Sequence, residues 1–116
     1  MGIGVLEDGE GSIYIKQGKI EMKMRSAKHS AIGAMKGSVN TKIRDAVISI
    51  DSEGDDVTGI GDSAGTGNVT IIDSQVSLVV NAGNPKDIGT ENGDVQIQNS
   101  NVSSLVNNKR TTYASN

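Results

Sequence analysis

"IGDSAGTGNVTII" runs from Ile60 to Ile72 and places Gly61, Gly65 and Gly67 ahead of the short alternating segment Val69-Thr70-Ile71. A glycine-rich turn of this kind either cradles a phosphate or redirects the chain. A phosphate cradle needs the turn to open a helix, whose first N–H groups then face the anion. Here strand periodicity resumes at once and no Gly-Lys-Ser/Thr follows. The glycines are therefore read as turning the chain. Gly61, Gly65 and Gly67 shape a loop that returns to a strand, and Gly33, Gly59 and Gly89 allow tight passage.

Working outward, the stretch is one copy of a repeat. Ile-Gly pairs stand at Ile3-Gly4, Ile32-Gly33, Ile60-Gly61 and Ile88-Gly89, at intervals of 29, 28 and 28 residues. The first unit has apolar residues at Ile13, Ile15, Ile20, Met22, Met24 and Ile32. Advancing by 28 gives Thr41, Ile43, Ile48, Ile50, Ser52 and Ile60, then Val69, Ile71, Val76, Leu78, Val80 and Ile88. A last set, advanced by 26, is Val95, Ile97, Val102, Ser104 and Val106. Spacing inside a unit is constant at 2, 5, 2, 2 and 8 residues, and every length change falls after the Ile-Gly pair.

Period-2 alternation specifies strands with one inward face. Strands this short, separated by four-residue corners, leave no room for crossover helices. Coiling satisfies their main chains instead, each strand pairing in parallel with its counterpart one turn away. The repeat thus predicts an all-β fold, a right-handed single-stranded parallel β-helix (solenoid) of about 28 residues per coil. A left-handed hexapeptide helix repeats at about 18 residues, and a sandwich of hairpins would not confine length changes to one place. The expected core is Ile13, Ile15, Ile20, Ile32, Ile43, Ile48, Ile60, Val69, Ile71, Val76, Ile88, Val95, Ile97 and Val102. Residues 1–108 are expected to form one β-helix domain of about four coils. Residues 109–116 are expected to be a polar C-terminal tail, too hydrophilic to plug the core. Ends of this kind are expected to meet further coils, other surface proteins or copies of the same chain.

Composition agrees. The chain has 116 residues, enough for one domain; 34% are hydrophobic and 2% aromatic, with no Phe, Trp or Cys. A core of β-branched side chains suits a repeat better than a globule built on aromatics. Without cysteine there are no disulfides and no thiolate metal sites. No apolar run approaches the roughly 20 residues of a membrane span, and no export signal is visible in the chain.

Charge is uneven. Residues 16–44 carry eight bases (Lys16, Lys19, Lys23, Arg25, Lys28, Lys36, Lys42, Arg44) against Glu21, whereas ten acids and three bases follow from Asp45 onward. Alternation places Tyr14 and Lys16 on the outer side of one strand and Lys42 and Arg44 beside them one coil on. This aromatic–basic face, Tyr14, Lys16, Lys42 and Arg44, is the candidate binding site for a glycan. The net charge of −3 and the scarcity of aromatic stacking platforms argue against nucleic acid. The acidic run yields Asp51, Glu53, Asp55 and Asp56 as the candidate metal ligands, for calcium. The run lacks EF-hand spacing, and the equivalent segments of the other coils lack carboxylates; no other cofactor is expected. His29, the sole histidine, is expected to be a partly covered corner residue. No two acids stack on either outward strand face, so hydrolysis by paired carboxylates has no actors.

The pattern Gly59-Ile60-Gly61, a glycine-rich loop, Gly67-Asn68-Val69-Thr70-Ile71 and Ser74-Gln75-Val76 resembles the repeats of bacterial cell-surface β-helix proteins. These include pectate-lyase-like and carbohydrate-binding-domain-containing members, and the resemblance covers Ile3 to Val106. It departs at Asp73-Ser74 and Asn99-Ser100, where those repeats have a double glycine. The resemblance implies a non-catalytic extracellular or cell-surface module that binds carbohydrate. Its alternatives are a structural spacer or adhesin stalk, or a remnant of a polysaccharide lyase or hydrolase. The family's calcium and acidic-glycan ligands match no motif here.

Overall fold

The structure is a computed structural model that describes residues 3–5, 9–89 and 93–113. Every regular element among them is a strand: β1 (Ile3–Val5), β2 (Gly9–Arg25), β3 (Lys28–Gly65), β4 (Val69–Ile72), β5 (Gln75–Ile88), β6 (Val95–Gln98), β7 (Asn101–Val106) and β8 (Lys109–Tyr113). The 28-residue register is the fold. β2 lies parallel to β3 with Ile15 opposite Ile43 and Ile20 opposite Ile48. β3 continues the same stack to Ile71 in β4 and Val76 in β5. β6 and β7 complete it with Ile97 and Val102. The chain is a parallel β-solenoid.

Burial follows position in the stack. Ile32, Ile43, Ile60, Val69 and Ile71 are completely buried, and Ile48, Val76, Ile88, Ile97 and Val102 nearly so. Ile13, Ile15 and Ile20 of the first coil are half-buried, packed against the core on one side. Val95, expected inside, is instead 40% exposed. It stacks on Val69, but among the described residues no strand pairs with the far edge of β6.

Two columns fix the changes of direction. At the corner after the first strand of each coil, Gln17, Asp45, Asp73 and Asn99 adopt left-handed φ of 63°, 53°, 49° and 46°. The left-handed residue stands one place before Ala46, Ser74 and Ser100, so that next place accepts an ordinary side chain. Both serines have work of their own. Ser74 Oγ accepts from the Ala46 amide at 3.1 Å and donates to the Ile72 carbonyl at 2.7 Å. Ser100 Oγ accepts from the Ser74 amide at 3.0 Å and donates to the Gln98 carbonyl at 2.8 Å.

The second column is Gly33, Gly61 and Gly89, at φ of +134°, +131° and +142°. A Cβ on Gly33 would lie 2.0 Å from the Gly61 oxygen, and one on Gly61 only 1.8 Å from the Gly89 oxygen. Gly61 therefore belongs to this axial column rather than to the variable loop.

Residues 109–113 depart furthest from the expectation of a polar tail. Asn107 and Asn108 take φ of 47° and 68°, the pair of left-handed residues that a tight two-residue hairpin requires. β8 then folds back antiparallel on β7, with Val106 opposite Lys109 and Val102 opposite Tyr113. Tyr113 packs against the core cluster. Its hydroxyl donates to Asp87 Oδ2, which also accepts from Ser104 Oγ at 2.7 Å. Burial first, and then the bond to the Asp87 carboxylate, raise the Tyr113 pKa. The remaining residues of the expected tail, 114–116, lie outside the described residues.

Candidate functional site: the outer face of the first strands

β2 and the first half of β3 bring the aromatic–basic residues together. In register, Tyr14 lies opposite Lys42 and Lys16 opposite Arg44. All four are exposed, Tyr14 at 53%. Lys42 Nζ sits 5.5 Å from the centre of the Tyr14 ring, within the range of a cation–π contact. Arg44 Nε is 3.7 Å from Asp45 Oδ2, an exposed pair of small energetic weight. The face continues one coil on through Thr70, opposite Lys42, and Ile72, opposite Arg44. Next come Gln96 and Gln98. Its cations are thus confined to the first two coils, and the rest of the face offers the Thr70 hydroxyl, the Ile72 side chain and the Gln96 and Gln98 amides.

The face borders the corner column. A shallow cleft of about 310 Å3 there is lined by Asp73, Ser74, Gln75, Asn99, Ser100 and Asn101. Asn99 Nδ2 donates to Asp73 Oδ1 at 2.6 Å across the coils. Asx at the same place in successive coils, Asp45, Asp73 and Asn99, is the sequence signal for this column. A second shallow cleft runs beside Ser49, Ser77 and Ser103 on the outer side of the next strand.

The acidic run is not assembled as a metal site. Among the described residues, no three His, Cys, Asp or Glu side chains form a group able to hold a metal ion. Glu53 Oε2 instead accepts from Arg25 Nε at 3.3 Å. Asp56 Oδ1 accepts from Asn84 Nδ2 at 2.8 Å, and Lys28 Nζ lies 4.0 Å from Asp56 Oδ2. Asp51 stands opposite Lys23, and Asp55 is exposed. Strand alternation and pairing with the basic first coil disperse carboxylates that are close in sequence.

Two buried polar side chains were not legible. His29, expected at a partly covered corner, is completely buried. Its Nδ1 lies 3.2 Å from the Ser26 carbonyl oxygen, while Nε2 has no partner among the described residues. Desolvation dominates and lowers its pKa, against the raising effect of the Ser26 bond.

Asp62 is also completely buried, and it answers the question raised by the glycine-rich stretch. Its Oδ2 accepts from the Val39 amide at 3.1 Å and the Gly67 amide at 2.9 Å. A Cβ on Gly67 would lie 2.7 Å from that same oxygen. The Gly67 N–H of the loop, together with the Val39 N–H of the coil before, does hold an acidic oxygen supplied by the chain itself, so no phosphate is needed to explain the glycines. No family model, curated protein or solved structure matches the chain.

Proposed function

We propose that this chain is a non-catalytic carbohydrate-binding module of an extracellular or cell-surface β-solenoid, taking an acidic glycan on the Tyr14/Lys16/Lys42/Arg44 face. The observation that carries this reading is the half-exposed Tyr14 ring with Lys42 beside it and Lys16 and Arg44 in register on the same two strands. An exposed aromatic plane stacks on the apolar face of a sugar ring, and adjacent cations pair with its carboxylate or sulfate groups. Arg is suited to bidentate pairing with a carboxylate, and Lys supplies a point charge. The strand spacing of about 4.8 Å sets these groups side by side on an open sheet that continues through Thr70 and Gln96, which suits an extended polymer more than a small ligand. Such a surface would bind without bond cleavage, since it presents no pair of opposed carboxylates.

A glycan array read at low and high salt tests the proposal. Acidic glycans should bind at low salt and weaken as the salt rises, because exposed charge pairs are screened beyond about 8–10 Å at physiological ionic strength. The Lys42→Ala/Arg44→Ala variant should lose that binding while keeping its unfolding midpoint, both side chains being exposed. Silence across the array would overturn the proposal in favour of a structural spacer. That second reading draws on the Arg44–Asp45 and Lys42–Tyr14 contacts, which already engage both cations within the chain.

A further inference from the structure

Neighbouring coils meet through one interface, repeated. Aliphatic side chains spaced 2, 5, 2 and 2 residues apart meet their counterparts while parallel strands pair. That interface has, among the described residues, an unfilled side at each end of the stack. Among the described residues β2 pairs only with β3, and Ile13, Ile15, Ile20, Met22 and Met24 are half-buried. At the other end β6 pairs only with β4, and Val95 is 40% exposed. The outer edge of β7, in contrast, is covered by β8.

We infer that β8 is a guard strand that keeps the last coil from accepting the first coil of a second copy of this chain. The register fits without insertion: Ile13, Ile15, Ile20, Met22 and Met24 fall on Val95, Ile97, Val102, Ser104 and Val106. The charge fits as well. Residues 95–106 contain no Asp, Glu, Lys or Arg, so Lys16, Lys19 and Lys23 would meet neutral neighbours. Two first coils meeting each other would instead bring these lysines and Arg25 together, and like charges directly opposed are destabilising.

An uncharged strand edge is open to further pairing, and proteins commonly defend such edges with Lys or by covering them. β8 does both. It fills the β7 edge and presents Lys109 and Arg110, and it is latched by Tyr113 on Asp87. Head-to-tail contact joins unlike surfaces, so without the guard it propagates into a filament unless rotation closes a ring.

The absence of cysteine makes a clean test available. Ile13→Cys and Val95→Cys are introduced together. Within one chain these positions lie three coils apart, about 14 Å by strand spacing. That exceeds the reach of a disulfide, so any bond joins two copies. With β8 intact the oxidised protein should remain monomeric. Adding Thr111→Pro, which disrupts the pairing of Thr111 with Ser104, should produce a ladder of covalent dimers and higher multimers. Tyr113→Ala removes the bond to Asp87 and the ring's packing on the core while leaving the main-chain pairing of β8, and should give the same ladder more weakly; it decides alone if Thr111→Pro fails to fold. The inference is overturned by the absence of multimers in the folded uncapped variants, or by a ladder that forms with β8 in place. Equal dimer yield from Ile13→Cys alone would also overturn it, since first coils would then be meeting each other.

Discussion

At the corner after β4, Asp73 takes a left-handed turn and the Ser74 and Ser100 hydroxyls tie one coil to the next. In the loop that returns the chain to β4, the buried Asp62 carboxylate takes the Val39 and Gly67 amides, while the Thr66 amide bonds the Gly37 carbonyl and the Asn68 amide bonds Asn40 Oδ1. Both places reverse the chain over a buried core. The corner does so with an exposed left-handed residue repeated in every coil, and the buried serines of the last two coils add hydroxyl bonds to it. The return path adds to its Asn40–Asn68–Asp94 ladder the unrepeated buried Asp62, and a glycine column that leaves no space for a side chain at Gly33 and Gly61. Distributed support makes the corner tolerant of change. Concentrated support makes the return path brittle while leaving its length free to vary, since only the brace and the column must be kept.

The sharpest way to break this contrast is Gly61→Ala. The added methyl would sit 1.8 Å from the Gly89 oxygen at a φ of +131°. The coils would have to separate or the backbone leave the left-handed region. We expect a loss of about 4 kcal/mol or more, at the diagnostic end of single substitutions, or failure to fold. Chemical denaturation, with circular dichroism to confirm the β signal, measures it. A stable Gly61→Ala protein would mean that the column is not a close-packed axis.

Asp62→Ala comes next. It leaves the buried Val39 and Gly67 amides without their acceptor, and an unsatisfied buried donor costs about 1–3 kcal/mol. A loss of about 2–4 kcal/mol is expected, with faster amide exchange at Val39 and Gly67. Asp62→Asn keeps one acceptor oxygen and should lose less. If Asp62→Ala were neutral, the loop would be held by its main chain alone.

What could be read from the sequence separates along the same line. The ladder Ile15, Ile43, Ile71 and Ile97 was legible because in-register stacking demands identical spacing in every coil, and periodicity is a property of sequence. Asp62 was not legible, since its partner Val39 lies 23 residues away and no other coil repeats the arrangement. His29 was misplaced although its partner Ser26 is only three residues away, because no other coil carries a polar side chain at that place. Val95 has the spacing of a core residue, but its burial depends on a further coil that the described residues do not supply. β8 was hidden by chemistry. A strand that covers an edge carries polar side chains, and Lys109-Arg110-Thr111-Thr112 therefore reads as tail. The Asn107-Asn108 pair was the remaining clue to a hairpin. Of the candidate site, alternation fixed the grouping of Tyr14, Lys16, Lys42 and Arg44, whereas the pairing of Arg44 with Asp45 depends on side-chain rotamers.

The smallest effect is expected at the corner. Ser74→Ala removes one acceptor from the Ala46 amide and one donor to the Ile72 carbonyl. The Asp73 turn, the parallel pairing on both sides and the bond from the Ser74 amide to Ser100 all remain. The chain itself shows that the hydroxyl is dispensable, because Gly18 and Ala46 occupy the same position in the first two coils. A net loss of about 1 kcal/mol follows, the typical net worth of one intramolecular hydrogen bond. A urea midpoint shifted at constant slope reads it. Should Ser74→Ala cost as much as Asp62→Ala, the corner would be supported at one point as well, and the distinction between the two reversals would not hold.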